Sequence, residues 1–130
     1  MYLTLTKRFL KENKMYDDKN IFARILRGEL TCKKIYENEV SLFFEDINPQ
    51  AKIHVLGIPK ISCVDFSDFV NKADHETLNS FFQTINTVLD KLDIKKDGYR
   101  IISNSGIDGG QEVPHFHVHI LAGEKIGQLK

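Results

Sequence analysis

The sequence predicts an α+β fold built on one antiparallel sheet, and three observations carry that prediction. A single long apolar stripe, Leu78, Phe81, Phe82, Ile85, Val88, Leu89 and Leu92, keeps helical spacing through several turns. Short runs of strand composition lie on both sides of it, joined by connections too short for crossover helices. Near the C-terminal end, His115, Phe116, His117, Val118, His119 and Ile120 alternate strictly between polar and apolar, the period of a strand. The chain has 130 residues and 15.0 kDa, with 42% hydrophobic and 28% charged residues, which suits one domain with a real core.

In chain order, residues 1–14 come first. They carry Lys7, Arg8, Lys11 and Lys14 against one acid, Glu12, and read as a basic extension that packs poorly, with Met15 as an alternative start. An organelle-targeting leader is the weaker reading, because serine enrichment is missing. Residues 15–130 then form a single domain. Ile21, Phe22, Ile25 and Leu26 make a short helix, with Asn20 as N-cap and Gly28 as its stop. Strands follow at 33–37 and 40–46, around the tight connection Asn38-Glu39. Asp46-Ile47-Asn48-Pro49-Gln50 is turn chemistry, and Pro49 prevents the strand from running on. The third strand is 53–59, carrying His54, and a short helical turn is expected around 64–69. Asp74 caps the long helix, and Lys91 suits its C-terminal dipole. The fourth strand is 99–104, and the loop 105–110 leads into a histidine strand at 113–122. The result is a five-stranded antiparallel sheet with one long helix and a short N-terminal helix.

Composition removes several function classes. The formal net charge is zero and the pI is about 7.0, so no general affinity for nucleic acid or an anionic membrane is expected. No apolar run reaches membrane-spanning length and no secretory h-region is visible, so a cytoplasmic protein is expected. Cys32 and Cys63 form no CxxC pair and suggest no disulfide framework.

The chemistry concentrates in His115, His117 and His119. On a strand rising about 3.3 Å per residue, neighbouring imidazoles on one face lie roughly 6.6 Å apart and the outer two roughly 13 Å. A row of that length fits an extended substrate better than one metal ion. A metal reading, with two of these histidines and His54 from a neighbouring strand, is second. No acid or cysteine stands at strong ligand spacing, and one histidine would be left over. Phosphate chemistry uses the whole row. Neutral imidazole, with an unperturbed pKa of about 6.5, is a competent nucleophile toward phosphorus when its other N–H is held by an acceptor. A second imidazole can donate to the leaving group or to a phosphate oxygen. The turn Gly109-Gly110-Gln111 can present backbone N–H groups to the same anion. His75, in the first turn of the long helix, reads as simply exposed.

The segment His115-Phe116-His117-Val118-His119-Ile120 resembles the histidine triad (HIT) signature, in which histidines alternate with hydrophobic residues. Ile21-Phe22 with Ile25, the run Phe44 through Ala51, His54, Ile58-Pro59-Lys60, Tyr99-Arg100 and Asn104 through Gln111 resemble the Hint branch of that family in the same order. The resemblance covers about residues 20–123. It implies a HIT-like fold and a hydrolase of purine nucleoside 5′-phosphoramidates acting at the α-phosphate. It also implies the residue roles. His117 would form a nucleotidyl-histidine intermediate, and His119 would contact the phosphate and assist departure of the leaving group. His115 would orient His117 through its backbone carbonyl, with His54 as the supporting fourth histidine. Asp46 would bind the ribose hydroxyls. Ile21, Phe22, Ile25, Phe44 and Ile47 would form the purine pocket, and Asn104, Gly110, Gln111 and Val113 would line the phosphate. Members of this branch are homodimers that join their sheets and need no metal or other cofactor. The uridylyltransferase branch carries glutamine where this chain has His119, so hydrolysis is expected over hexose-phosphate transfer. A diadenosine polyphosphate hydrolase and a non-catalytic nucleotide-binding interaction module are the alternatives. Two departures bear on substrate preference. Glu112 stands where eukaryotic Hint proteins usually have a phosphate-touching serine, and the tail lacks their tryptophan.

Overall fold

The computed structural model describes residues 15–129; the basic segment 1–14 lies outside the described residues. Helix α1 spans Ile21–Leu26, and the Asn20 side chain accepts the Ala23 N–H at 2.9 Å as its cap. Strands β1 (Lys34–Glu37), β2 (Ser41–Glu45) and β3 (Ile53–Pro59) form a meander. Helices α2 (Phe66–Lys72) and α3 (His75–Leu92) follow, then β4 (Tyr99–Ile102) and β5 (Val118–Ala122). The five strands order as β1-β2-β3-β5-β4, and every neighbouring pair is antiparallel. The α+β class, the single sheet and the long helix are as the sequence predicts. The helical turn expected at 64–69 is the seven-residue α2, capped by Asp65.

The sheet has two differently covered faces. Against one, α3 packs Phe81, Ile85, Val88 and Leu89 onto Phe43, Val55, Val118 and Ile120, with Phe69 of α2 and Phe116 completing the core. Phe82, which falls in the predicted stripe, is instead 47% exposed and lies edge-on to Phe81. Asp74 accepts the Thr77 N–H at 2.8 Å to start α3, and Asp93 in the left-handed region ends it. On the opposite face the cover is much thinner. Phe22 of α1 packs with Leu42, Phe44, Leu56 and Ile58, and Ile25, Leu26, Cys32 and Val113 pack partly buried around them. Gly57 is required between the layers, because a Cβ there would overlap the ring of Phe43.

The last strand differs from its predicted span. β5 begins at Val118, not at 113, so the ladder with β3 starts at the Gly57–Val118 pair. Pro114 has no N–H to give a ladder. The next two amides turn elsewhere: His115 N–H donates to Val113 O at 2.9 Å and Phe116 N–H to Cys63 O at 2.9 Å. Among the described residues, no helix is long and apolar enough to cross a membrane.

Candidate active site

The alternation survives even though only His119 lies inside β5. Phe116, Val118 and Ile120 are buried in the α3-side core, so His115, His117 and His119 turn to the α1 face. β3 and β5 are adjacent, and pairing of Leu56 with His119 puts His54 two residues along β3 on that same face. The sheet therefore brings the four predicted histidines into one row. The His117 and His119 ring centroids are 5.1 Å apart and those of His119 and His54 5.2 Å. Phe22 lies edge-on to His117 at 5.0 Å, holding that ring from the α1 side.

Main-chain groups decide which nitrogen of each ring carries the proton. A carbonyl can only accept and an amide N–H can only donate. His117 Nδ1 lies 2.7 Å from the His115 carbonyl oxygen, so Nδ1 is the protonated nitrogen and Nε2 presents a lone pair. His115 Nε2 donates to Pro59 O at 2.8 Å, leaving Nδ1 to accept the Tyr16 hydroxyl at 2.6 Å. The Gln50 amide donates to His54 Nδ1 at 3.0 Å, which places the His54 proton on Nε2. That Nε2–H faces His119 Nδ1 at 2.9 Å and an Asp46 carboxylate oxygen at 3.3 Å. His119 Nδ1 is thus an acceptor, and its Nε2 carries the proton. The row offers a bare nitrogen at His117 beside an N–H donor at His119.

Burial keeps these rings neutral. His115 is fully enclosed, and loss of hydration pulls its pKa down to about 4, against the opposing pull of the Pro59 carbonyl. His119 is lowered to about 4, first by burial and then by the adjacent His117 and His54. Burial also lowers His117, offset in part by the His115 carbonyl and by the Asp46 and Glu112 carboxylates. It lowers His54 against Asp46 in the same way.

A cavity of about 710 Å³ adjoins the row: His54 belongs to both, and Asp46 lines the cavity beside it. Ile25, Phe44 and Ile47 also line it, whereas Ile21 and Phe22 do not. Ile47 is 87% exposed at the rim and Ile21 53% exposed on α1. Asp46 accepts the Asn48 N–H at 2.8 Å, the turn-capping role, while its second oxygen faces His54. Asp46, His54 and His119 each bring one potential metal-ligand atom, all within 4.8 Å of one another. Sequence spacing hides this acid, because the β2–β3 turn, not sequence proximity to the triad, delivers it.

The loop before the triad corrects one expectation. The Gly110 N–H donates to Ile107 O and the Gln111 N–H to Gly106 O, both at 3.0 Å, so neither is offered to an anion. The Asn104 amide is tied to Gly109 O at 2.7 Å. The Gln111 side chain donates to Val64 O at 2.7 Å and Val113 O at 3.0 Å and accepts from the Gly106 N–H at 3.0 Å. These residues build the loop that carries Glu112 and Val113 toward the histidines. Positive φ at Gly106 and Gly110, 67° and 75°, lets that loop close on itself. Sequence reasoning also missed Tyr16, the Gln50 amide and the Pro59 carbonyl. The latter two act through the backbone and leave no residue signature.

The chain is similar to known proteins. The sequence matches the HIT domain model over residues 27–126. It is 47% identical to a HIT-like protein of Azospirillum brasilense across 89% of this chain and 95% of that one. It is 35% identical to the purine nucleoside phosphoramidase of Escherichia coli, across 86% and 93% of the respective chains. A solved structure of a histidine triad protein from Clostridium difficile superposes with a TM-score of 0.80 at 36% identity, covering 89% of this chain and all of that one. The alternating histidines, the sheet that gathers them and these matches agree: the chain belongs to the histidine triad (HIT) family.

Proposed function

We propose that this protein hydrolyses purine nucleoside 5′-phosphoramidates through a covalent intermediate on His117. The observation that carries the reading is the 2.7 Å hydrogen bond from His117 Nδ1–H to the His115 carbonyl, which leaves Nε2 free to attack. The Nε2 lone pair attacks the α-phosphorus, and the phosphorus–nitrogen bond breaks with its electrons going to the leaving nitrogen. Solvent supplies the proton that completes the amine. The developing imidazolium is stabilised by its Nδ1–H on the carbonyl, and the His119 Nε2–H hydrogen-bonds the departing group or a phosphate oxygen. Water then attacks the nucleotidyl-His117 phosphorus, one of its protons passes to solvent, and the electrons of the P–N bond return to the ring. The Asp46 carboxylate binds the ribose hydroxyls, and the purine enters the cavity against Ile25, Phe44 and Ile47. The Glu112 and Val113 amides serve as phosphate donors in place of the two spent in the loop. The relationship to the Escherichia coli phosphoramidase supports the substrate class.

The reaction needs no metal in this reading. A cation on the Asp46–His54–His119 cluster would have to ligate through His54 Nε2, and the Gln50 amide at Nδ1 holds the proton on that nitrogen. The test is hydrolysis of adenosine 5′-phosphoramidate with and without EDTA, for wild type and His117→Ala. Chelator-resistant turnover that disappears in the variant is expected. Nucleotide binding without turnover would instead assign the chain to a non-catalytic module, and loss of turnover with EDTA would restore the metal.

A further inference from the structure

We infer that Tyr16 is a positioning residue of the nucleophile, acting through the ring of His115. The inference rests on the catalytic reading of His117 and adds to it a residue outside the triad motif. The carbonyl that orients His117 belongs to His115, and β5 begins only at Val118. No ladder bond fixes that carbonyl. What holds His115 is its own amide on Val113 O and the two hydrogen bonds of its ring, to Pro59 O and from Tyr16. The ring is fully buried, so water cannot replace either partner.

Tyr16 suits that task. Its hydroxyl is 2.6 Å from His115 Nδ1, and its ring stands edge-on to the imidazole with centroids 5.6 Å apart. Since the Pro59 carbonyl holds the His115 proton on Nε2, Nδ1 has only a lone pair, and the single phenol proton must point at it. The side chains of Asn20 and Ser62 lie beside the same phenol. Asn20 is the cap of α1, and Phe22 on that helix packs on His117. The segment from Tyr16 to Phe22 thus clasps both the orienting residue and the nucleophile from the thinly covered face.

The experiment compares full-length wild type with Tyr16→Phe, which keeps the ring and removes only the O–H. Expected is a kcat on adenosine 5′-phosphoramidate lower by about ten- to hundredfold, with KM within about twofold, as for a nucleophile held off its line of attack. In ¹⁵N spectra of the imidazoles, the His115 Nδ1 and His117 Nδ1–H signals should both move. A residue that only stabilised the fold would lower the melting temperature and leave kcat and the His117 signal unchanged, and that result overturns the inference. An unmoved His117 signal overturns it whatever the rate, as does a moved signal with unchanged kcat. If the wild type proves inactive, the catalytic reading fails by itself, and the spectra alone then decide whether Tyr16 positions His117. Should Tyr16→Phe unfold, 3-fluorotyrosine at position 16 keeps the fold and strengthens the donor. The two imidazole signals must then shift, and unmoved signals overturn the inference.

Discussion

An imidazole attacks phosphorus only through a nitrogen without a proton, and at His117 the main chain selects that nitrogen. The same logic runs through the row. Pro59 O fixes His115, the Gln50 amide fixes His54, and His54 passes the choice to His119. Neutral rings are the condition for this pattern, and they make stability depend on pH with a definite sign. His115 and His119 hold pKa values of about 4 in the native state, against about 6.5 unfolded. Between those values the unfolded chain binds more protons than the native one, so stability rises with pH across the window and is lost as pH falls through it. For the enclosed His115 alone, lowering the pH from 7 to 5 should remove on the order of 2 kcal/mol. His117 and His54, also lowered by burial, add in the same direction. Urea midpoints at pH 7 and pH 5 measure this, with the slope m constant. Glu37, bonded by Lys34 and Lys60, is held at about 2 and stays charged across that interval. A midpoint independent of pH would mean that the histidines are charged or solvated in the native state.

At the scale of elements, legibility follows from where information resides in the chain. α3 announces itself because its apolar positions repeat through five turns between a capping aspartate and a left-handed stop. The face shared by the histidines is equally legible, since alternation persists in the extended approach to β5 as well as in the strand itself. The start of β5 is not legible, because it depends on Cys63 O receiving the Phe116 amide from a distant loop. The role of Gln111 is hidden for a related reason. In sequence it adjoins glycines and reads as part of an anion nest, yet its partners are Val64, 47 residues away, and Gly106 and Val113 around the loop. Gln111→Ala removes all three side-chain bonds and leaves partly buried main-chain groups of Val64, Gly106 and Val113 without them. A loss of about 1–3 kcal/mol in stability is expected. kcat/KM should fall roughly tenfold, because loop displacement carries Val113 and His115 with it. Thermal unfolding and steady-state kinetics test the two effects separately. A variant that melts and turns over like wild type would show that the loop closes without its glutamine.

For the whole molecule, the order β1-β2-β3-β5-β4 puts the histidine strand next to an edge. α3 covers the middle of the sheet and stops short of β4, where Tyr99 and Ile101 are 43% and 42% exposed. Ile101 pairs with Ile120, a core residue, so its side chain belongs to the apolar face that α3 leaves open. An edge strand with apolar side chains is a template for pairing with another chain, and soluble proteins seldom leave one bare. The homodimer that the family resemblance implies would join two such edges, extending the sheet across a twofold axis and covering Tyr99 and Ile101 with their counterparts. Within one chain Ile101 is already exposed, so Ile101→Lys should cost the folded monomer less than about 0.5 kcal/mol. At the centre of a dimer contact the same lysine would lose its hydration opposite apolar groups, at a cost of about 2 kcal/mol or more. Association should therefore weaken, with Kd raised by no less than about thirtyfold. Light scattering at micromolar concentration is expected to give twice the chain mass for wild type and the single-chain mass for the variant, with both retaining a cooperative thermal transition. A wild type of single-chain mass would leave the β4 edge without a partner of its own kind, and Tyr99 and Ile101 would then need a different explanation.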